Sequence, residues 1–457
     1  MPFIQYIFIK LKSLLARFGL KHSKYTAFTF SRHLMRRTGA LLILVACVFG
    51  CKESDPLTPI QRTWVNQIDA ESTPLQGADP SLSDADLAPF DFLSDAKIVG
   101  LGEGSHGARE FFQIKHRIFQ YLVEKHGFRA FAFEMDFAES IIFDDYIQGK
   151  TNDDLHTLMS SKMLFWTWKT EEVQELFEWM RTYNKDKPEP LKIHLYGVDC
   201  QFPTYSADFL VQRVSAVDPL FATVISTKLE KFKTLGFADS SNYNLLLKNV
   251  NDVYNTVLSN KDLYLSKGMT TNEFAIALQL ARNIIQTHNV IYKNKIEGYY
   301  KLYRDGYMAE NAQWVSDFVG GNQKICLWAH NDHVRADIER MGYYLKASLK
   351  GQYKNMCSTF ATGSFNAVGL HSIVTSPIES STNYLLHQVR QKTFAVNVAT
   401  TPTATPLGRY FYDFHGILNT YATYDGNPED YFIPTNLSVA FDMLVYFDKI
   451  SASRLFN

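Results

Sequence analysis

The sequence predicts an α/β fold: a parallel or mixed central sheet flanked by helices, with a mainly helical insertion. Three observations carry this. Runs of β-branched and apolar residues recur along the chain at "KIVGLG" (97–102), "AFAFEM" (130–135), "IHLYGVD" (193–199), "KICLWAH" (324–330), "FAVNVA" (394–399) and "LSVAFDMLVYF" (437–447). Helix-length patterns separate most of them, and continuous apolar strands alternating with helices imply a sheet covered on both faces. Between about 205 and 320 that rhythm breaks, and helical periodicity takes over.

Taken in order, the chain opens on a segment unlike the rest. Residues 1–50 carry eight Lys/Arg and no acid. Inside it, "MRRTGALLILVACVFGC" (35–51) has the basic start, apolar stretch and small-residue end of a secretory signal. The apolar stretch from Gly39 to Gly50 is too short to span a bilayer. "VFGC" resembles a lipobox, which predicts that Cys51 is acylated and that the mature protein is a membrane-anchored lipoprotein of the cell envelope. A start at Met35, or a long basic leader, accounts for residues 1–34 equally well.

Residues 51–90 read as a polar tether, "KESDPLTP", and an entry segment. The α/β domain is expected over 91–205 together with 320–457, and the helical insertion over 206–319. "EFFQIKHRIFQYLVEKHG" is a helix that Gly127 ends, and "EEVQELFEWMRTYN" is a second. In the insertion, Thr270 and Glu273 have the spacing of a capping box, and Gly320 and Gly321 close "GYMAENAQWVSDFVGG".

With 457 residues, 46% apolar and 20% charged, the chain can bury a large core and is not disordered. Taking the eight leader charges from a net charge of −1 leaves −9, with no basic excess to displace counterions, so a nucleic-acid partner is not expected. Cys200, Cys326 and Cys357 are widely spaced and form neither a disulfide framework nor a zinc pattern; Cys326 in "KICLW" reads as a small buried hydrophobe.

Ligands of α/β proteins bind at the carboxyl ends of the strands. Four such ends carry chemistry: "GEGSHG" (102–107), Glu134 and Asp136 in "FEMD", Asp199 in "GVDCQ", and "HNDH" (330–333). Around the first, a dinucleotide fingerprint fails because Ser105 occupies the third glycine position and no acid lies about 20 residues on. A serine nucleophile elbow fails because Glu103 stands where its first glycine belongs. What survives is Glu103 and His106, three apart, with Gly102 and Gly104 expected to allow tight turns.

These residues resemble a known family. "GEGSHGAREFFQIKHRIFQYLVEKHGFRAFAFE" looks like the signature of the erythromycin esterases, and "WTWKTEEVQELFEWMRTYN", "YGVDCQ", "RDGYMAEN" and "WAHNDH" match further blocks in the same order, from about residue 90 to the end. The resemblance implies a hydrolase unrelated to the serine esterases, in which a histidine activates water to open a macrocyclic lactone, and hence a role in macrolide antibiotic resistance. Carried over by motif, that histidine is His106, with Glu103, Glu134, His330 and His333 around it. Lys115 stands where the family's helix usually carries Arg, which keeps the charge but loses the bidentate fork.

Elementary chemistry agrees with this assignment. Hydrolysis without a nucleophilic side chain needs a base of near-neutral pKa, which an imidazole supplies. Glu103 or Glu134 would orient His106, and His330 and Lys115 are candidate oxyanion donors. Trp166 and Trp168 of "FWTWK", the Tyr-rich "YYKLYRDGY" (299–307), Arg304, Asp199 and His333 are expected on the substrate side or supporting it. No cofactor or metal is expected, and the partner is a small ester or lactone. Two alternatives stay open: a metal-dependent hydrolase built on the same His/Glu set, and a non-catalytic lipoprotein that binds a small amphiphile.

Overall fold

The computed structural model describes residues 56–233, 243–297, 300–321, 323–368, 370–374 and 376–456, without the side chains of 293–302, 370 and 371. The expected signal segment, Cys51 and Tyr299 lie outside the described residues. The chain divides at Thr58/Pro59, and every element of the fold belongs to the unit from Pro59 to Asn457.

A mixed sheet of nine strands forms the centre. Its strands are β1 (Thr73–Pro74), β2 (Ile98–Glu103), β3 (Ala130–Asp136), β4 (His194–Asp199), β5 (Ile325–His330), β6 (Tyr353–Ala367), β7 (Leu370–Val374), β8 (Thr393–Asn397) and, after the separate hairpin β9 (Phe414–Leu418) and β10 (Phe432–Asn436), β11 (Met443–Ile450). The order is β1-β8-β11-β6-β2-β5-β3-β4, with β7 on β6. From β11 to β4 neighbours run parallel, whereas β8, β1 and β7 are antiparallel additions. Every residue of β2, β3 and β5 is buried, which explains their unbroken apolar runs.

Helices cover the sheet. α1 (Pro59–Glu71) lies in the stretch expected to be tether and entry, and α2 (Arg109–His126) ends on Gly127 in the left-handed conformation at φ 73°. α3 (Phe137–Ile147), α4 (Leu155–Lys162) and α5 (Glu171–Asn184) follow. Between β4 and β5 come α6 (Ser206–Ser215), α7 (Pro219–Leu229), α8 (Tyr243–Ser259), α9 (Lys261–Ser266), α10 (Thr271–Glu297) and α11 (Tyr300–Val319). α10 opens on a reciprocal capping box: Thr270 N–H donates to Glu273 Oε2 (2.7 Å) and Glu273 N–H to Thr270 Oγ1 (3.2 Å). These helices share an apolar core of their own, which includes Leu210, Ile225, Val250, Leu280 and Ile284 and takes in Phe137 and Ala138 of α3.

Two expectations need correction. "LSVAFDMLVYF" is not one strand: Asn436 caps a short helical turn, Leu437–Ala440, by accepting from Val439 N–H, and β11 starts only at Met443. β6, β7, β9 and β10 are absent from the expected strands, because their sequences mix polar residues into the pattern; "YKNMCSTFATGSFNA" carries neither an apolar run nor strict alternation. β6 is nevertheless a central strand, held between β2 and β11.

Candidate active site

The strand order places the four chemistry-bearing ends side by side. β5 lies between β2 and β3, and β4 flanks β3, so Glu103, His330, Glu134 and Asp199 share one rim. The glycines after β2 serve close approach rather than unusual dihedrals. Neither Gly102 nor Gly104 has positive φ, and a Cβ on Gly102 would stand 2.6 Å from the Met356 carbonyl on β6. The turn beyond is pinned by Thr420, whose N–H donates to Gly104 O (2.7 Å).

His106 stands in that turn with its side chain 12% exposed, and its Nδ1 is 2.8 Å from Glu103 Oε1. A carboxylate there fixes the proton on Nδ1 and leaves the Nε2 lone pair uncommitted. Glu103 is fully buried and its other oxygen accepts from Lys115 Nζ (2.8 Å). Lys115, on α2, also donates to Ala329 O (3.1 Å) and lies over the Trp328 ring. Burial pulls its pKa down to about 8, with Glu103 and Glu134 opposing. Lys115 is therefore sealed beneath Glu103, and the expected role as an oxyanion donor does not fit its position.

His330 packs against His106, ring centroids 4.8 Å apart. Its Nδ1 accepts from Asp332 N–H (3.1 Å), so the ring proton sits on Nε2, which faces Thr420 O at 3.3 Å. Burial, reinforced by His106, holds its pKa well below the usual imidazole value, and the ring is neutral. Two neighbouring imidazoles, their planes tilted by 42°, thus carry opposite tautomers, one with a lone pair on Nε2 and the other with a proton there. Tyr421 closes the other side of His330 at 4.9 Å.

Glu134 does not orient His106. Its Oε2 accepts from His330 N–H (2.9 Å), and Oε1 accepts from Arg304 Nη2 (2.8 Å) with His333 Nε2 at 3.2 Å. Burial alone would raise its pKa, but His333, His106 and Arg304 hold it well below the usual carboxylate range. Arg304 reaches in from α11 and also grips Asp199 with Nε (2.9 Å) and Nη2 (2.7 Å), a bidentate pair.

His333 takes Arg304 Nη1 at 2.8 Å and Asp305 Oδ1 at 2.7 Å. A guanidinium only donates, so that contact requires a lone pair on His333 Nε2 and a proton on Nδ1. Burial and the Arg304 guanidinium work against a second proton; although Asp305 and Glu134 pull the ring's pKa up to about 10, that proton would turn Nε2 to Glu134 Oε1 and set two cations side by side, so the Arg304 hydrogen bond belongs to the neutral ring. Arg304, Asp199 and His333 are consequently locked to one another, which makes them supports of the rim rather than free substrate contacts.

Trp166 and Trp168 do not form one wall. Trp168 is sealed in the core, donating from Nε1 to Glu134 O (3.1 Å) and meeting the His106 ring edge-on at 5.4 Å, while Trp166 stays half-buried. Trp168 is a backstop that limits where His106 can turn. Ser105 is buried and its Oγ accepts from Gly107 N–H (3.3 Å). Sequence reasoning missed Asp305, Thr420 and Tyr421: the first sits inside "RDGYMAEN" beside the more conspicuous Arg304, and the others belong to a polar loop with no periodic signal. Among the described residues no three His, Cys, Asp or Glu side chains are disposed to hold a metal ion. Cys200, Cys326 and Cys357 are buried and unpaired with one another.

Two further carboxyls lie behind the rim. Burial, with Asp199 nearby, raises Asp136 to about 8, and burial raises Glu139 to about 8. Asp136 Oδ2 and Glu139 Oε2 have no hydrogen-bond partner among the described residues, as neutral acids tolerate better than carboxylates. Both folded values exceed the unfolded ones, so their contribution to stability is complete below about pH 4 and is lost as pH rises towards 8. Thermal scans of wild type between pH 5 and 9 should show falling stability, and the double variant Asp136→Asn/Glu139→Gln should flatten that slope. An unchanged slope contradicts the protonation assigned to the two acids.

The sequence profile of the erythromycin esterases matches residues 123–450. The chain belongs to the erythromycin esterase family. A putative hydrolase, YbfO, of Bacillus subtilis (strain 168) is 30% identical over 356 residues, covering 70% of this chain and 77% of that protein. An erythromycin esterase type II of Escherichia coli is 26% identical over 305 residues, 59% of this chain and 70% of that one. A crystal structure of a Bacillus cereus protein superposes with a TM-score of 0.76 at 23% identity, covering 88% of this chain and all of the other. A mutant of erythromycin esterase EreC in its open conformation gives 0.63 at 18%, covering 84% and 98%. These superpositions establish the fold, and family membership makes the chain a hydrolase. The profile begins at Val123, so the Glu103 and His106 turn precedes the matched span.

Proposed function

We propose that this chain hydrolyses carboxylic esters, cyclic or macrolide-like lactones above all, with water activated by His106. The observation that carries the reading is the Glu103–His106 pair: a buried carboxylate fixes the Nδ1 proton and leaves Nε2 of the partly exposed ring free to take one from water. In the forward step Nε2 accepts a proton as the water oxygen bonds to the ester carbonyl carbon, and Glu103 steadies the imidazolium. His330, neutral and with its proton on Nε2, becomes the donor for the developing oxyanion by turning that N–H from Thr420 O, 3.3 Å away; such a donor is typically worth roughly 3 kcal/mol. Collapse expels the alkoxide, to which His106 returns the proton. Ser105 is not the nucleophile, because it is buried and its oxygen already accepts a hydrogen bond. Macrolide lactones enter this reading through the name of the Escherichia coli relative.

Incubating the purified protein with erythromycin and with simple aryl esters, and reading products by mass spectrometry, tests the substrate class. Addition of one water to the lactone supports it; turnover of aryl esters alone would confine the activity to unstrained acyclic esters. Repeating the assay with a chelator separates the base from a metal-ligand role for His106, since loss restored by zinc would assign the latter.

The same proposal places the mature chain at the envelope through an acylated Cys51, on the strength of "LVACVFGC" and the polar stretch after it. Among the described residues no helix is long and apolar enough to cross a membrane. Cys51→Ser should move the protein from the membrane to the soluble fraction; retention in the membrane would refute acylation.

A further inference from the structure

A cavity of about 490 Å³ opens between α3, α6, the turn after α9 and the start of α10. That volume is ordinary for a small-molecule site. Ile141, Phe209, Met269 and Ile276 give it an apolar wall. None of the rim residues of the ester site lines it.

Its charged groups are hydrogen-bonded, with one exception. Lys150 donates to Asp145 (2.8 Å), Lys267 donates to Val217 O (2.9 Å), and Glu273 closes the capping box with Thr270. Arg213, on α6, has no hydrogen-bonded or ion-paired partner among the described residues; Asp145 and Glu273 act on it only at longer range. Burial pulls its pKa down from the usual value, which marks a guanidinium partly stripped of water. A desolvated cation without a partner is unfavourable, and a planar fork is satisfied best by a carboxylate bound through both oxygens. Among the described residues, Arg213 is therefore the lining cation without a hydrogen bond, and Lys267, held only by a carbonyl, adds a second positive charge at the edge of the apolar pocket.

We propose that this cavity binds a monoanionic amphiphile, its carboxylate on Arg213 and its hydrocarbon against Ile141, Phe209, Met269 and Ile276. The guanidinium fork suits a single carboxylate, and the wall selects a chain over a compact polar acid. Ester hydrolysis is not required for this assignment.

Isothermal titration of the full chain with decanoate at pH 7.5, against decanol and decyltrimethylammonium, provides the test. One decanoate should bind per chain, at least tenfold tighter than either control. Arg213→Gln, which removes no hydrogen bond among the described residues, should weaken decanoate at least tenfold, and Arg213→Lys should weaken it less, because it keeps charge without the fork. His106→Ala should bind decanoate as wild type does. Equal affinity for decanol, an unaffected Arg213→Gln, no saturable binding, or loss of binding in His106→Ala would each overturn the proposal, the last by placing decanoate in the ester site.

Discussion

His106→Ala is expected to lower ester turnover by two or more orders of magnitude with little change in KM, because general-base catalysis alone contributes about 10²–10⁴-fold. Little that could act as a base remains once the imidazole is gone. Glu103 is fully buried with Lys115 ion-paired beneath it, and His330 offers a proton rather than a lone pair. Neither neighbour can substitute. Ser105→Ala should keep turnover within a few-fold of wild type. Steady-state kinetics of both variants on one ester checks the pair, and comparable losses would sink the assignment.

The largest effect on stability is expected at Arg304→Ala. Arg304 holds Asp199 by two hydrogen bonds and Glu134 by a third, all three side chains being buried. Removing one partner of a buried ion pair leaves charge uncompensated and costs about 3–5 kcal/mol. Here two carboxylates lose their guanidinium at once and keep only weaker donors, and His333 loses the donor on its Nε2. The rim would also come apart mechanically, since Arg304 ties α11 to the ends of β3 and β4. Arg304→Lys should recover part of the loss, as the charge returns without the fork. Urea unfolding followed by circular dichroism measures both, and a midpoint for Arg304→Ala equal to wild type would show that the network carries no net stabilisation.

The sheet's centre was legible because β2, β3, β5 and most of β11 are buried on both faces and so spell continuous apolar runs. β6 escaped because its buried positions hold Asn355, Ser358 and Thr359, whose polar atoms are satisfied across the fold by Val334 O, Gly102 O and Leu418 O. Such compensation is invisible until the partners are in space. The same limit governed the site. Glu103, His106, Glu134, Asp199 and His330 could be nominated from strand ends alone, but which carboxylate serves which imidazole depends on β5 inserting between β2 and β3, an order no local pattern encodes. Lys115 reads as an oxyanion donor from its charge and its place in the family's helix, whereas the tertiary fold turns it inward under Glu103.

The proposed chemistry turns on direct attack by water, and intact-mass spectrometry of the enzyme, quenched during its first turnovers of an aryl ester, probes that step without an intermediary. Water attack leaves the protein unmodified at every time point and releases product without a burst. An acyl adduct accumulating to one per chain, on Ser105 or any other side chain, would contradict it.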